Sequence, residues 1–221
     1  MQNRKLVLCS SSPRRQQLLK ELGIEFEILI KEVEELFPHH LKAEQVAFYL
    51  AEKKADAFRS DFEKEKIYIT ADTIVWFNDE VLGKPVHADD AVRMLKKLSG
   101  KKHQVFTAVC LSSMDKKNIF SVKSDVQFRK ISDETIRSYV EHYRPLDKAG
   151  SYGAQECLPE GMNPCSAQEN IFLESIHHPD LFERTLSKTK IRIPIIEHIN
   201  GSYFNVMGLP VVELYEGLGS W

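Results

Sequence analysis

The chain has 221 residues, of which 43% are hydrophobic and 28% charged, and a formal net charge of -2. That is enough apolar material for one sizeable core, and the charge balance lacks the Lys/Arg excess of a nucleic-acid binder while leaving room for a local anion pocket. No stretch approaches the ~20 apolar residues of a membrane span, and the opening run Leu6-Val7-Leu8 is too short for a secretory signal. The four cysteines, Cys9, Cys110, Cys157 and Cys165, include no Cys-x-x-Cys pair. The expectation is a soluble, cytoplasmic protein with reduced thiols and neither a nucleic-acid nor a membrane partner.

Lys5 to Cys9 reads as a short buried strand. Ser12 then offers an N-cap, Pro13 fits the first helical position, Leu18, Leu19 and Leu22 form a stripe, and Gly23 ends the helix. Ile24 to Ile30 alternates as a second strand, followed by a polar loop with Glu32, Glu34 and Glu35. From about Ala43 to Ser60 the pattern is helical, with Val46, Leu50, Ala51, Ala55 and Phe58 on one side. Lys54 lies four residues after Leu50 and leans toward that inward face, whereas Lys53 is rotated away. Ile67 to Phe77 is a strand, with Asn78-Asp79 as a turn into Glu80-Val81-Leu82. Asp89 to Leu98 is helical and closed by Gly100. Val105 to Ser112 and Phe120 to Arg129 are strands joined by a polar turn at 115–118. Ser132 caps a helix through Tyr143, with Ile131 and Ile136 spaced for a hydrophobic staple. The segment from Cys157 to Lys190 reads as loop-rich and polar; pattern resumes in a strand from Ile191 to Ile199 and a last helix from Pro210. Strands and helices alternate without a repeat, which gives an α/β or α+β class with a mixed sheet.

Ser10-Ser11-Ser12-Pro13-Arg14-Arg15 sits where a strand turns into a helix. Backbone donors and the helix dipole favour anions there, and the hydroxyls and arginines add phosphate-binding groups. An ordinary capped helix with solvated arginines fits the pattern equally well, and neither G-x-G-x-x-G nor a Walker A motif is present. Asp72 interrupts the apolar run Ile67 to Trp76, where a carboxylate is costly unless it is paired, metal-bound or at an opening. On pattern alone a structural salt bridge or a strand end accounts for it better than chemistry does. Glu35, Lys54 and Lys84 are individually ordinary surface charges. The stretch Asp147 to Gln155 is a glycine-spaced loop with polar groups suited to a cleft.

Taken in order, the blocks Leu8 to Leu19, Ala71-Asp72-Thr73-Ile74-Val75, Val81 to Pro85, Leu98 to Val105, Pro145 to Gly153 and Ile199 to Pro210 resemble the Maf family of nucleotide pyrophosphatases, often called septum formation inhibitors. The resemblance implies a Maf/inosine-triphosphatase-like α/β fold, an elongated mixed sheet with two lobes flanking a central cleft. It implies hydrolysis of a nucleoside triphosphate to the monophosphate and pyrophosphate, with attack at the α-phosphorus. The aspartate of the family's A-D-T motif, its catalytic base, falls on Asp72. Phosphate-binding roles fall on Ser10, Arg14, Arg15, Lys54 and Lys84. A divalent cation, Mg²⁺ or Mn²⁺, is implied as cofactor, with Glu35 and Asp72 as its ligands. The family divides by nucleobase. At Arg14, Thr73 and Gln155 this chain resembles the branch that prefers dTTP and UTP, while the 7-methyl-GTP branch typically carries glutamine in place of Thr73.

The chain departs from the family pattern after Gln155. Family members reach the I-x-G-S-Y block in about ten residues, but here Gln155 and Ile199 are several times further apart. The expectation is a single domain spanning 1–221 with an atypical insertion at about 157–190, serving as a lid or as a contact in a homodimer. Its Cys157, Cys165, His177 and His178 fit no standard zinc spacing. Two rival readings are a 7-methyl-GTP or other modified-nucleotide pyrophosphatase and a non-catalytic regulator of cell division. The intact set Ser10, Arg14, Asp72, Lys84 and Gln155 argues against lost activity.

Overall fold

A computed structural model of the chain describes residues 4–186 and 192–221. Its strands are β1 (Lys5–Leu8), β2 (Phe26–Ile28), β3 (Lys66–Phe77), β4 (Glu80–Leu82), β5 (Lys102–Ser112), β6 (Lys117–Phe128) and β7 (Ile196–Asn200). They form one mixed sheet in the order β2-β1-β3-β5-β6-β7, with β4 on β3. The first three strands of that order run parallel, and β3-β5-β6-β7 run antiparallel. The helices are α1 (Pro13–Glu21), α2 (Glu44–Ala57), α3 (Ala88–Leu98), α4 (Asp133–Tyr143), α5 (Ala154–Cys157), α6 (Ala167–Ser175), α7 (Leu181–Thr185), α8 (Tyr203–Met207) and α9 (Val211–Gly219). The mixed α/β class expected from the alternating pattern is present.

The period-2 alternation of β3 and β5 divides their side chains between two apolar clusters. Ile69, Ala71, Val75, Val105, Val109 and Leu111 join the larger one. Ile74, Phe106, Ala108 and Cys110 pack on the other face against Val46, Leu50, Ala51 and Ala55 of α2. The inward stripe read from the sequence of α2 is therefore the buried one.

Strand β3 carries the feature that makes a site. Residues 66–69 pair with β1, and residues 75–77 pair with β4. Between them, Thr70 to Ile74 have a sheet partner, β5, on one side only. The chain leaving β1 turns away there into α1. Asp72 thus sits at a gap in the sheet, the opening that a carboxylate in an apolar strand requires.

Three expectations need correction. The described part of the segment expected to be loop-rich, 157–186, is only about half loop: it also contains the end of α5 together with α6 and α7, and Leu173 and Leu181 are fully buried, while 187–190 lie outside the described residues. These helices are short, and their single apolar anchors are too few to register as a period. The strand expected over 191–199 begins only at Ile196 and ends at Asn200; residues 192–195 carry no strand, and Ile191 lies outside the described residues. Ser12 precedes α1 as expected, but its side chain makes no capping bond. Its backbone N–H donates to Ser10 Oγ instead, at 3.2 Å.

Glu169 fastens this helical segment to the molecule. It forms a capping box with Ser166 at the start of α6. The same carboxylate accepts the Ser202 hydroxyl (2.6 Å) and the backbone N–H groups of Tyr203 and Phe204 (both 3.1 Å) at the start of α8. Its loss would orphan buried donors at about 1–3 kcal/mol each. On the other side, Arg184 of α7 donates to the Glu21 carboxylate (3.1 Å) and carbonyl (3.4 Å), and Gln17 donates to the Arg184 carbonyl (3.2 Å), so α7 is tied to α1.

Candidate active site

The gap in the sheet opens into a cleft of about 1130 Å³. Its lining brings together every site residue named from the sequence: Ser10, Arg14, Arg15, Glu35, Lys54, Asp72, Thr73, Lys84 and Gln155. They come from seven parts of the chain. The β1–α1 turn brings Ser10, and α1 brings the two arginines. Glu35 comes from the loop after β2, Lys54 from α2, and Asp72 and Thr73 from β3. Lys84 comes from the loop after β4, and Gln155 from α5.

Asp72 and Thr73 are neighbours in a strand and so face opposite sides of the sheet. On the α2 side, Asp72 is 5% exposed, and Lys54 Nζ donates to its Oδ1 at 2.5 Å. The same ammonium donates to Glu35 Oε1 at 2.8 Å, and Lys84 Nζ reaches the Glu35 oxygens at 3.2 and 3.3 Å. The chain Asp72–Lys54–Glu35–Lys84 runs outward, from a side chain 7% exposed at Asp72 to one 53% exposed at Lys84. Burial raises the Asp72 carboxyl above its ordinary range despite the opposing pull of Lys54 and Arg15. Burial acts on Glu35 in the same direction, but Lys54 and Lys84 outweigh it and hold that carboxyl below its ordinary range. The two carboxylates on one lysine therefore have their affinities for protons pushed apart, the arrangement in which a base and a permanent anion can divide the work.

On the other face, the half-buried Arg15 is held by neutral acceptors. Its Nε donates to the Gly208 carbonyl (2.8 Å), one terminal nitrogen to Ser10 Oγ (3.4 Å) and the other to Thr73 Oγ1 (3.1 Å). Among the described residues no carboxylate pairs with it directly. Thr107 donates its hydroxyl hydrogen to the Asn205 carbonyl at 2.9 Å. Its 2.9 Å contact with Thr73 therefore uses the Thr73 hydrogen. Thr73 thus receives Arg15, gives to Thr107 and keeps a single lone pair free. Gly208 has φ +110, and a Cβ there would lie 3.3 Å from Thr73 Oγ1.

The remaining arginine is paired. Arg14 donates to Asp147 Oδ2 at 3.0 Å, and Lys148 donates to Asp147 Oδ1 at 2.8 Å. Lys148, largely buried, also lies 3.6 Å from Glu156 Oε1, and the Tyr139 hydroxyl donates to Glu156 Oε2 at 2.6 Å. Gln155 is buried beside this network, and its Oε1 has no hydrogen-bond partner among the described residues.

Sequence reasoning passed over Asp147 and Lys148 as members of a weak loop, and it missed Thr107, Glu156, Glu169 and the Gly208 carbonyl. A signal existed for Glu169, because Ser166-x-x-Glu169 is a capping-box pattern. None existed for Gly208, whose contribution is a backbone oxygen. Among the described residues there is no cluster of three or more His, Cys, Asp or Glu suited to a metal ion, Cys157, Cys165, His177 and His178 included. No described helix is long and apolar enough to cross a membrane.

Residues 5–162 match the family model for Maf-like proteins. The dTTP/UTP pyrophosphatase of Phocaeicola vulgatus is 42% identical over 215 residues, covering 97% of this chain and 94% of the relative. That of Flavobacterium psychrophilum is 39% identical over 214 residues, covering 97% and 93%. That of Porphyromonas gingivalis is 41% identical over 217 residues, covering 97% and 92%. Among solved structures, the Staphylococcus aureus Ham1 protein overlaps 57% of this chain and 72% of its own at a TM-score of 0.39 and 16% identity. With the family's motif residues gathered around one cleft and the family match running through most of its length, this chain belongs to the Maf family.

Proposed function

We propose that the protein is a nucleoside triphosphate pyrophosphatase that hydrolyses dTTP and UTP to the monophosphate and pyrophosphate. The observation that carries this reading is Arg15, a half-buried guanidinium in the cleft wall whose direct partners are all neutral. A cation held in position by neutral acceptors, with Asp72 and Glu35 acting on it only through space, is prepared to bind phosphate. Arg14, Lys54 and Lys84 line the same cleft and add to its positive charge. The relatives' names point to the same chemistry.

In this reading water attacks the α-phosphorus, the bond from that phosphorus to the bridging oxygen breaks, and pyrophosphate leaves. Asp72 orients the water and takes its proton, a role suited to a carboxyl raised by burial. Lys54 holds Asp72 from the α2 side and, with Lys84, neutralises the departing phosphates. Asp72 and Glu35 are also the carboxylates suited to a divalent cation, since Mg²⁺ is typically held by one or two carboxylates together with substrate phosphates. When bound, such an ion would supply charge stabilisation on the phosphate oxygens.

Gln155 supports a pyrimidine. Its unpartnered Oε1 is an acceptor, and the imide N–H of thymine or uracil is a donor that would satisfy it. Arg14 and Thr73 complete the proposed base pocket, with Thr73 restricted to accepting. The protein acts in this reading as a single domain on a small-molecule substrate.

The test is a nucleotide panel read by pyrophosphate release, with and without Mg²⁺ or Mn²⁺. The expected result is turnover of dTTP and UTP with metal present and little turnover of 7-methyl-GTP. Absence of pyrophosphate from both pyrimidine nucleotides would overturn the proposal.

A further inference from the structure

We propose that Glu169 is a positioning residue that fixes the orientation of Arg15 by holding α8, an inference that rests on Arg15 binding substrate phosphate. The family match ends at residue 162, so Glu169 lies beyond it. Its carboxylate is 1% exposed and lies in no part of the cleft lining. Oε1 accepts Ser202 Oγ and Phe204 N, while Oε2 accepts Tyr203 N and Ser166 N. Three of these four donors belong to the start of α8.

Helix α8 has only five residues, too short to persist by its own hydrogen bonds. Its middle is tied to the sheet by Asn205, which donates to the Val105 carbonyl (3.1 Å) and Ser124 Oγ (2.8 Å) and accepts from Thr107 (2.9 Å), while its two ends are oriented by other groups. At the start these are Glu169 and the Ser124 hydroxyl, which donates to the Ser202 carbonyl at 2.7 Å. At the end, Gly208 gives its carbonyl to Arg15 Nε at 2.8 Å, the shortest bond the guanidinium makes. The fit there is tight, since even a methyl group on Gly208 would lie 3.3 Å from Thr73 Oγ1. If Glu169 lets go, the buried N–H groups of Tyr203 and Phe204 must find other acceptors. A shift of so short a helix moves the Gly208 carbonyl and turns the guanidinium away from its aim. The same segment also steadies the helix that carries Arg15, through Arg184 on Glu21. Misplacement of a binding group by about 1 Å can cost about 10²-fold in rate.

The test is a double-mutant cycle on dTTP hydrolysis, with kcat and KM measured separately and folding checked by circular dichroism. Glu169→Gln keeps the shape but opposes an amide NH₂ to the N–H donors. It is expected to lower kcat/KM about 10²-fold in the otherwise native protein. In an Arg15→Lys background the further loss should shrink to within about threefold, because the group that Glu169 positions is gone. An equal loss in both backgrounds, or none in the native one, overturns the inference. Arg15→Lys with undiminished kcat/KM sinks instead the reading of Arg15 as a phosphate ligand, whatever Glu169 does. If Glu169→Gln does not fold, Ser202→Ala, which removes the hydroxyl on Oε1, is put through the same cycle and judged by the same criterion.

Discussion

The two faces of β3 at Asp72 and Thr73 treat charge in opposite ways. On the Asp72 face every cation has an anion: Lys54 touches two carboxylates, and Lys84 shares one of them. On the Thr73 face the cation is held by a carbonyl and two hydroxyls, and it keeps its charge for something else. The first arrangement can exchange partners when a triphosphate enters. The second is a fixed frame built from backbone and threonine. One strand therefore separates the part of the site that must rearrange from the part that must not.

The largest effect is expected on the face that rearranges. Asp72→Asn removes the proposed base with little change of shape. Loss of about 10²–10⁴-fold in kcat is expected, the usual worth of general acid–base catalysis. Burial already favours the uncharged carboxyl at this position, so the variant should melt at or above the native temperature. An Asp72→Asn protein that still hydrolyses dTTP at the native rate would remove Asp72 from the chemistry.

The fixed face is sharpened by Gly208→Ala. A side chain at φ +110 is strained, and its Cβ would meet Thr73 Oγ1 at 3.3 Å. Strain of this kind costs about 1–3 kcal/mol, and displacement of the carbonyl under Arg15 should lower kcat/KM about tenfold or more. The contrast with Asp72→Asn is diagnostic: one variant loses activity and keeps stability, the other loses both. If Gly208→Ala melted and turned over as the native protein does, the frame would not be rigid.

The same face carries an acid-sensitive group. His103 is 2% exposed, shares a 2.8 Å hydrogen bond with the Tyr152 hydroxyl, and lies edge-on to Phe128. Burial lowers its pKa from 6.5 to about 3. The unfolded chain therefore takes up this proton before the folded one does. The stability that follows is complete above pH 6.5 and is lost as pH falls toward 3, at up to about 1.4 kcal/mol per pH unit. Between pH 6.5 and 5, denaturant unfolding of the native protein should lose about 2 kcal/mol more than that of His103→Gln. Equal losses in the two proteins would show that His103 is not held neutral.

The exchangeable face was the more legible one in the sequence. Asp72 announced itself by breaking an apolar run, and Lys54 by following Leu50 at i+4, because both signals are local and periodic. The phosphate loop was legible because Pro13 and the Leu18-Leu19 stripe mark where α1 starts and which side it buries. On the fixed face Ser10 and Arg15 were legible as part of that loop, but what holds them was not. Thr73 was named through the resemblance, but its bonds to Arg15 and Thr107 join residues 58 and 34 apart in the chain. The Gly208 carbonyl carries no residue-type signal at all. The helices within 157–186 were missed for a related reason: α6 and α7 gain their order from Glu169 and Arg184 reaching across to α8 and α1, not from stripes of their own.

The smallest effect is expected at the outer end of the charge chain. Lys84 has a side chain 53% exposed, and its carboxylate partner Glu35 is 42% exposed. Ion pairs in that setting contribute little to stability and are screened by salt. Lys84→Ala should therefore leave the melting temperature within about a degree of native, and KM for dTTP should rise about threefold, a change on the scale of one exposed ionic contact. The rise should shrink as salt is added, because screening removes from the native protein what the substitution has already removed from the variant. Lys54→Ala should behave otherwise, since its ammonium lies against the buried Asp72 and salt reaches it poorly. If the two lysines gave the same loss with the same salt dependence, the gradient from buried base to exposed cation would have no functional meaning. Asp72 and Lys84 would then belong to one solvent-screened surface rather than to the inner and outer ends of a cleft.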